Sequence, residues 1–131
     1  MTGAELCLRA AAGEPVQLPP ELARQLLACS NNAEAAACLG LSLPQRIRVR
    51  NNALVEAARV LATDGVSTWQ AATRLAQAIR RFERALWPAL RAGQAIPLTP
   101  HESALWRAYS VRGARPLRSP RKLFDLLVIH G

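Results

Sequence analysis

Lysine is nearly missing from this chain: sixteen of its seventeen basic residues are arginine, and Lys122 is the exception. Alanine is abundant too, as a GC-rich coding composition produces, so the arginine-to-lysine ratio carries little functional information. Cysteine is limited to Cys7, Cys29 and Cys38, an odd number without CxxC spacing, and His101 and His130 lie far from all three. That argues against a disulfide framework or a zinc site, and for reduced, partly buried thiols in a cytoplasmic protein. No uninterrupted apolar run approaches the roughly 20 residues of a membrane span, so no membrane partner is expected. Residues 1–15 carry neither a basic leader nor a long apolar stretch, and no secretory signal is expected.

Material for catalysis is equally short. There is no Gly-rich phosphate loop, no nucleophile elbow and no HExxH. The nine carboxylates are scattered, which leaves paired acid–base or two-metal chemistry poorly supplied. The expectation is a non-enzyme with no catalytic residues, no metal and no small-molecule cofactor. Aromatic residues make up only 5% of the chain. Trp69, Phe82, Trp87, Trp106 and Tyr109 fall on or beside apolar helix faces, as core or subunit-interface residues do. Single-strand binders instead interleave exposed aromatics with basic residues.

What the chain does have is positive charge, unevenly placed. Residues 1–45 hold two basic and four acidic residues, a balance of −2, while residues 46–131 hold fifteen basic and five acidic, a balance of +10. A small protein charged in this way is attracted to polyanions, and nucleic acid is the foremost of these.

Strand signals are nearly absent and helix punctuation is frequent, which predicts an all-α compact bundle of about six helices. Pro19-Pro20 opens a segment with Leu22, Leu26 and Leu27 at helical spacing. Asn31 or Asn32 caps a short helix that ends at Gly40. Ser42 with Gln45, Ser67 with Gln70, and Thr99 with Glu102 have the spacing of capping boxes. The helix from Ser42 carries Ile47, Leu54, Ala58 and Leu61, and lasts to Thr63. The helix after Ser67 has Leu75, Ile79, Phe82 and Leu86 on one face, and Trp87-Pro88 ends or kinks it. Ser119-Pro120 begins a terminal helix. At 131 residues one domain is expected over 19–131, comprising 19–64, a helical hairpin 65–109, and a basic arm with terminal helix 110–131. Residues 1–18 are a separate segment with a helix-compatible ELCLRAAA stretch and no anchored ends.

Residues 31–51 read NNAEAAACLGLSLPQRIRVRN. With Ala36 four residues before Gly40, and Leu39 and Leu41 flanking the glycine, residues 20–62 resemble the helix-turn-helix superfold of bacterial and phage DNA-binding proteins. They depart from it at Arg46, where the motif usually has a β-branched apolar residue, and in placing Pro44 so near the helix start. The resemblance implies that the helix from Ser42 enters the major groove, with Ser42, Gln45, Arg46 and Arg50 reading bases.

Two further basic elements are candidates for backbone contact. In SVRGARPLRSPRK, residues 110–122, Arg112, Arg115, Arg118 and Arg121 recur every third residue, followed by Lys122. Gly113, Pro116 and Pro120 favour an extended backbone that aligns the guanidiniums along one edge. On the helix after Ser67, Arg74, Arg81 and Arg84 form a basic face, beside Arg80, while Arg48 flanks the base-reading set. The ordinary reading of these segments is a solvated linker and a wet helix face, with Arg80 and Arg84 pairing with Glu83 and Glu56, and arm arginines with Glu102 or Asp125.

The expectation that follows is a DNA-binding protein, a small bacterial, phage or mobile-element transcriptional regulator or accessory factor. It is expected to act as a homodimer and to favour duplex DNA over RNA. The alternatives are an RNA-binding helical subunit of a ribonucleoprotein complex, and a protein-interaction module or inhibitor that binds an acidic partner surface through its tryptophans.

Overall fold

The structure, a computed structural model, describes residues 2–130. Among these there is no strand, and helices account for most of the chain. They run α1 Gly3–Ala11, α2 Pro20–Leu27, α3 Asn32–Cys38, α4 Leu43–Leu61, α5 Thr68–Ala85, α6 Trp87–Arg91, α7 Pro100–Ser110 and α8 Pro120–His130. The all-α bundle expected from the sequence is the fold. Two segments add to the expected six. One is α1, whose N-cap Thr2 accepts the Glu5 N–H. The other is α6, a five-residue turn beyond the break at Leu86, where the chain starts again with Pro88 in the first turn.

Local chemistry sets the other helix starts. Asn31 Oδ1 accepts the Glu34 N–H at 2.9 Å, while the Ser30 N–H donates to the Glu34 carboxylate at 2.7 Å. The three capping boxes form as spaced: the backbone N–H groups of Ser42, Ser67 and Thr99 donate to the side chains of Gln45, Gln70 and Glu102 at 2.9–3.0 Å. α3 stops because Gly40 takes φ +72°. Leu41 N–H then reaches back to Ala36 O at 2.7 Å and Gly40 N–H to Ala37 O at 3.1 Å. This is a Schellman closure, which strongly favours glycine at that position.

The core lies between α4, α5, α7 and α8. Leu54, Leu75, Ile79, Phe82, Leu105 and Leu123 are its largest fully buried side chains, each contributing about 2–3 kcal/mol of transfer free energy. Alanine fills much of the remainder. Ala53 and Ala57 on α4, Ala72 and Ala76 on α5, and Ala104 and Ala108 on α7 are buried pairs at i, i+4 spacing. Small side chains on such ridges let helix axes approach closely, and α4 packs chiefly against α7, as α5 does against α8. Phe82, Trp87 and Tyr109 form an aromatic cluster with centroids 5.2–6.1 Å apart. Trp69 is half exposed and meets Phe124 edge-on at 5.7 Å.

The N-terminal third is attached differently. α2 and α3 bury no residue and pack mainly on each other. α1 is docked by a close backbone approach, since a Cβ on Gly3 would lie 2.7 Å from Leu39 O. The turn between α3 and α4 is therefore covered by the start of α1.

Candidate functional site

The sequence places its candidate residues on three elements: the N-terminal half of α4, the segment 111–119, and the outer face of α5. The fold brings the first two together. Arg46 donates from Nε to Leu41 O at 2.6 Å and from Nη1 to Arg112 O at 2.9 Å. Arg50 donates from Nη1 to Arg115 O at 2.8 Å and grips Asn51 Oδ1 through Nε and Nη2 at 2.9 and 2.7 Å. Two turns of α4 thus pin the arm by its carbonyls. Burial also lowers the Arg50 pKa from its ordinary value, because a desolvated guanidinium has less water to stabilise its charge.

This pinning changes the role of the base-reading candidates. Ser42 donates from both N and Oγ to Gln45 Oε1, at 3.0 and 2.6 Å. Ser42, Gln45, Arg46 and Arg50 are thus all engaged in internal hydrogen bonds. Arg48, on the same helix, is exposed. It lines a groove of about 370 Å³ between α1 and α4, together with Glu5, Gln45, Asn52, Glu56 and Arg107. The order α3, glycine turn, α4 is present, but the main packing partner of α4 is α7.

The arm differs from the extended strip expected of it. Residues 111–114 turn, with Gly113 at φ +88°, and Val111 and Ala114 are buried. Arg121 is on α8, pairing with Asp125 at 3.5 Å and lying 5.9 Å from the Phe124 ring centroid. Arg118 pairs with Glu83 at 2.9 Å. The four guanidiniums therefore do not share one edge. Proline and glycine preclude a helix here, but buried Val111 and Ala114 bend the backbone onto the body. Arg112, Arg115 and Lys122 remain exposed.

The carboxylates also have other partners than the nearest arginines in sequence. Glu56 is held by Arg107 of α7, not by Arg84. Glu83 is shared by the Tyr109 hydroxyl, which donates to it, and Arg118, not by Arg80. Burial, and the hydrogen bond to Glu83, push the Tyr109 phenol far above its ordinary pKa. With Glu102 capping α7 through the Thr99 N–H and Asp125 on Arg121, Asp64 is the one of the five carboxylates after residue 45 whose side chain has neither a hydrogen bond nor an ion pair among the described residues.

That leaves the outer face of α5. Gln70, Arg74, Gln77, Arg81 and Arg84 recur at spacings of four and three, which aligns them on one face, and Arg80 lies at its margin. All are exposed. Between Arg74 and Arg84 the stripe runs about 15 Å. The four arginines pair with no carboxylate among the described residues; Arg74 makes a 3.2 Å bond to Thr63 Oγ1. Chemically, this surface offers guanidinium forks to an extended anion.

No family model, curated protein or solved structure matches this chain.

Proposed function

We propose that this protein binds nucleic acid by its sugar–phosphate backbone, with duplex DNA the favoured ligand, as a small transcriptional regulator or accessory factor does. The observation that carries this reading is the carboxylate-free arginine stripe of α5, in a chain of net charge +8. Four of the five acidic groups after residue 45 are engaged by Arg107, Arg118, Arg121 and a helix cap. The unpaired guanidiniums that remain suit phosphate. Arg112, Arg115 and Lys122 extend the basic surface, with Arg48 on α4 as a further contact. Helix-turn-helix reading of bases by α4 would require Ser42, Gln45, Arg46 and Arg50 to exchange internal bonds for contacts to bases.

That internal engagement favours a second reading, an RNA-binding subunit that grips a backbone by shape. Fluorescence anisotropy with random duplex DNA and matched RNA, across a salt series, separates the two. The expected result is duplex binding whose affinity falls steeply with salt. Preference for RNA supports the second reading. Weak binding to both at about 0.15 M salt sinks both and favours an acidic protein partner.

A further inference from the structure

We propose that Cys29 and Cys38 form a thiol–disulfide site, oxidised by low-molecular-weight disulfides to a bond that staples α2 to α3. The two residues are nine apart in sequence, but the hairpin brings their sulfurs to 3.5 Å. A disulfide needs about 2.05 Å, so the remaining approach is roughly 1.5 Å. Cys29 already donates its S–H to Gln25 O at 3.1 Å, which orients the thiol at the end of α2. Cys7, on α1, has no sulfur partner among the described residues.

The hairpin gains from such a bond because little else holds it. Neither helix contributes a buried residue, and Leu27 is exposed on its surface. Its internal ties are the Asn31 cap and the Glu34–Ser30 hydrogen bond. Burial, the neighbouring Cys38 sulfur and the Glu34 charge push the Cys29 thiol above its ordinary value. A thiol raised in this way is less often ionised, so its exchange is slow.

In the reaction one protein thiolate attacks a sulfur of the small disulfide and expels one small thiolate, leaving a mixed disulfide. The second protein thiolate then attacks the protein sulfur of that intermediate and expels the other small thiolate. The protein loses two protons and two electrons, and the small disulfide is reduced to two thiols. The inference stands on the hairpin geometry and is independent of the nucleic-acid reading.

The test is to equilibrate the full chain in mixtures of oxidised and reduced glutathione, then measure titratable thiols, intact mass and tryptic peptides. The expected result is a fall from three thiols to one, a mass loss of two hydrogens, and a Cys29–Cys38 crosslink with Cys7 free. Tryptic cleavage after Arg24 in α2 should slow on oxidation, and a Cys29→Ser, Cys38→Ser double variant should lose that response while keeping its helical circular dichroism. Three titratable thiols throughout, stable glutathione adducts, or a crosslink through Cys7 would each overturn the site. A Cys29–Cys38 bond with unchanged cleavage after Arg24 would overturn the staple.

Discussion

Replacing Arg74, Arg80, Arg81 and Arg84 together by glutamine removes four charges from one exposed helix face and leaves the core intact. The buried face of α5 is carried by Ala72, Leu75, Ala76, Ala78, Ile79 and Phe82, none of which the variant alters. Surface changes of this kind usually shift stability by no more than about 0.5 kcal/mol each. The effect on binding should be much larger. Apart from Arg48 on α4, the basic groups that are exposed and have no carboxylate partner in the proposed surface are Arg74, Arg80, Arg81, Arg84, Arg112, Arg115 and Lys122. If all contact phosphates of duplex DNA, the slope of log affinity against log salt is about −6, and the variant retains about −3. Between 0.05 and 0.2 M salt the native chain then loses about 6,000-fold in affinity and the variant only about 40-fold. Fluorescence anisotropy over that range measures both slopes, with circular dichroism as the check on folding. A folded variant whose slope stays within about one of the native value would refute the assignment of α5 as a phosphate-contacting face.

Three further outcomes bear on the fold that presents this surface. Leu105→Ala empties a fully buried position on α7 and should cost about 2–5 kcal/mol, read as a lower urea midpoint; a loss below about 1 kcal/mol would contradict tight packing of that helix. Arg50→Met keeps the apolar stem but removes the donor to Arg115 O. Water can replace that exposed bond, so stability should fall by only about 1 kcal/mol, while trypsin cuts faster after Arg112; unchanged cleavage would mean the arm is not pinned. Tyr109 is the only tyrosine, so phenolate absorbance reports it directly. Its raised pKa means the folded state favours the neutral phenol. That contribution is complete below the unfolded midpoint near 10 and is lost as pH climbs from there toward the folded midpoint; a native midpoint near 10 would refute its burial against Glu83.

The parts of the fold legible in the sequence are those decided within a few residues. Capping boxes at Ser42, Ser67 and Thr99 require only an acceptor three positions on, and the turn at Gly40 requires only a glycine after a helical run. The same rule marks Thr2 and Glu5 as the start of α1. Choices that depend on distant neighbours were not legible. Arg46 and Arg50 meet carbonyls 66 and 65 residues away. Glu56 is paired across 51 residues with Arg107. No periodicity encodes such contacts, because they follow from the way α7 and the arm pack on α4. The Cys29–Cys38 approach is intermediate: spacing alone was uninformative, but two short helices joined by a capped turn make a hairpin, and each thiol stands near a helix end.

The internal use of Arg46 and Arg50 has consequences for specificity. A side chain that reads a base discriminates by about 1–3 kcal/mol per good bidentate pair, and that gain is net of whatever the side chain gives up. Here Arg46 and Arg50 would release Leu41, Arg112 and Arg115 carbonyls, and Gln45 would release the cap of α4. Each exchange costs about 0.5–1.5 kcal/mol, comparable to the discrimination it would provide. The stripe on α5 carries less of this cost, because its guanidiniums have no carboxylate to leave and, among the described residues, only Arg74 has hydrogen bonds to release, to Leu61 O and Thr63 Oγ1. Electrostatic attraction should therefore engage α5 first, at low cost and without regard to sequence. Base reading by α4 becomes favourable only if the nucleic acid also supplies acceptors that replace the arm carbonyls. An arm released from Arg46 and Arg50 would then be free to follow the same phosphates, which couples any sequence reading by α4 to movement of residues 111–119.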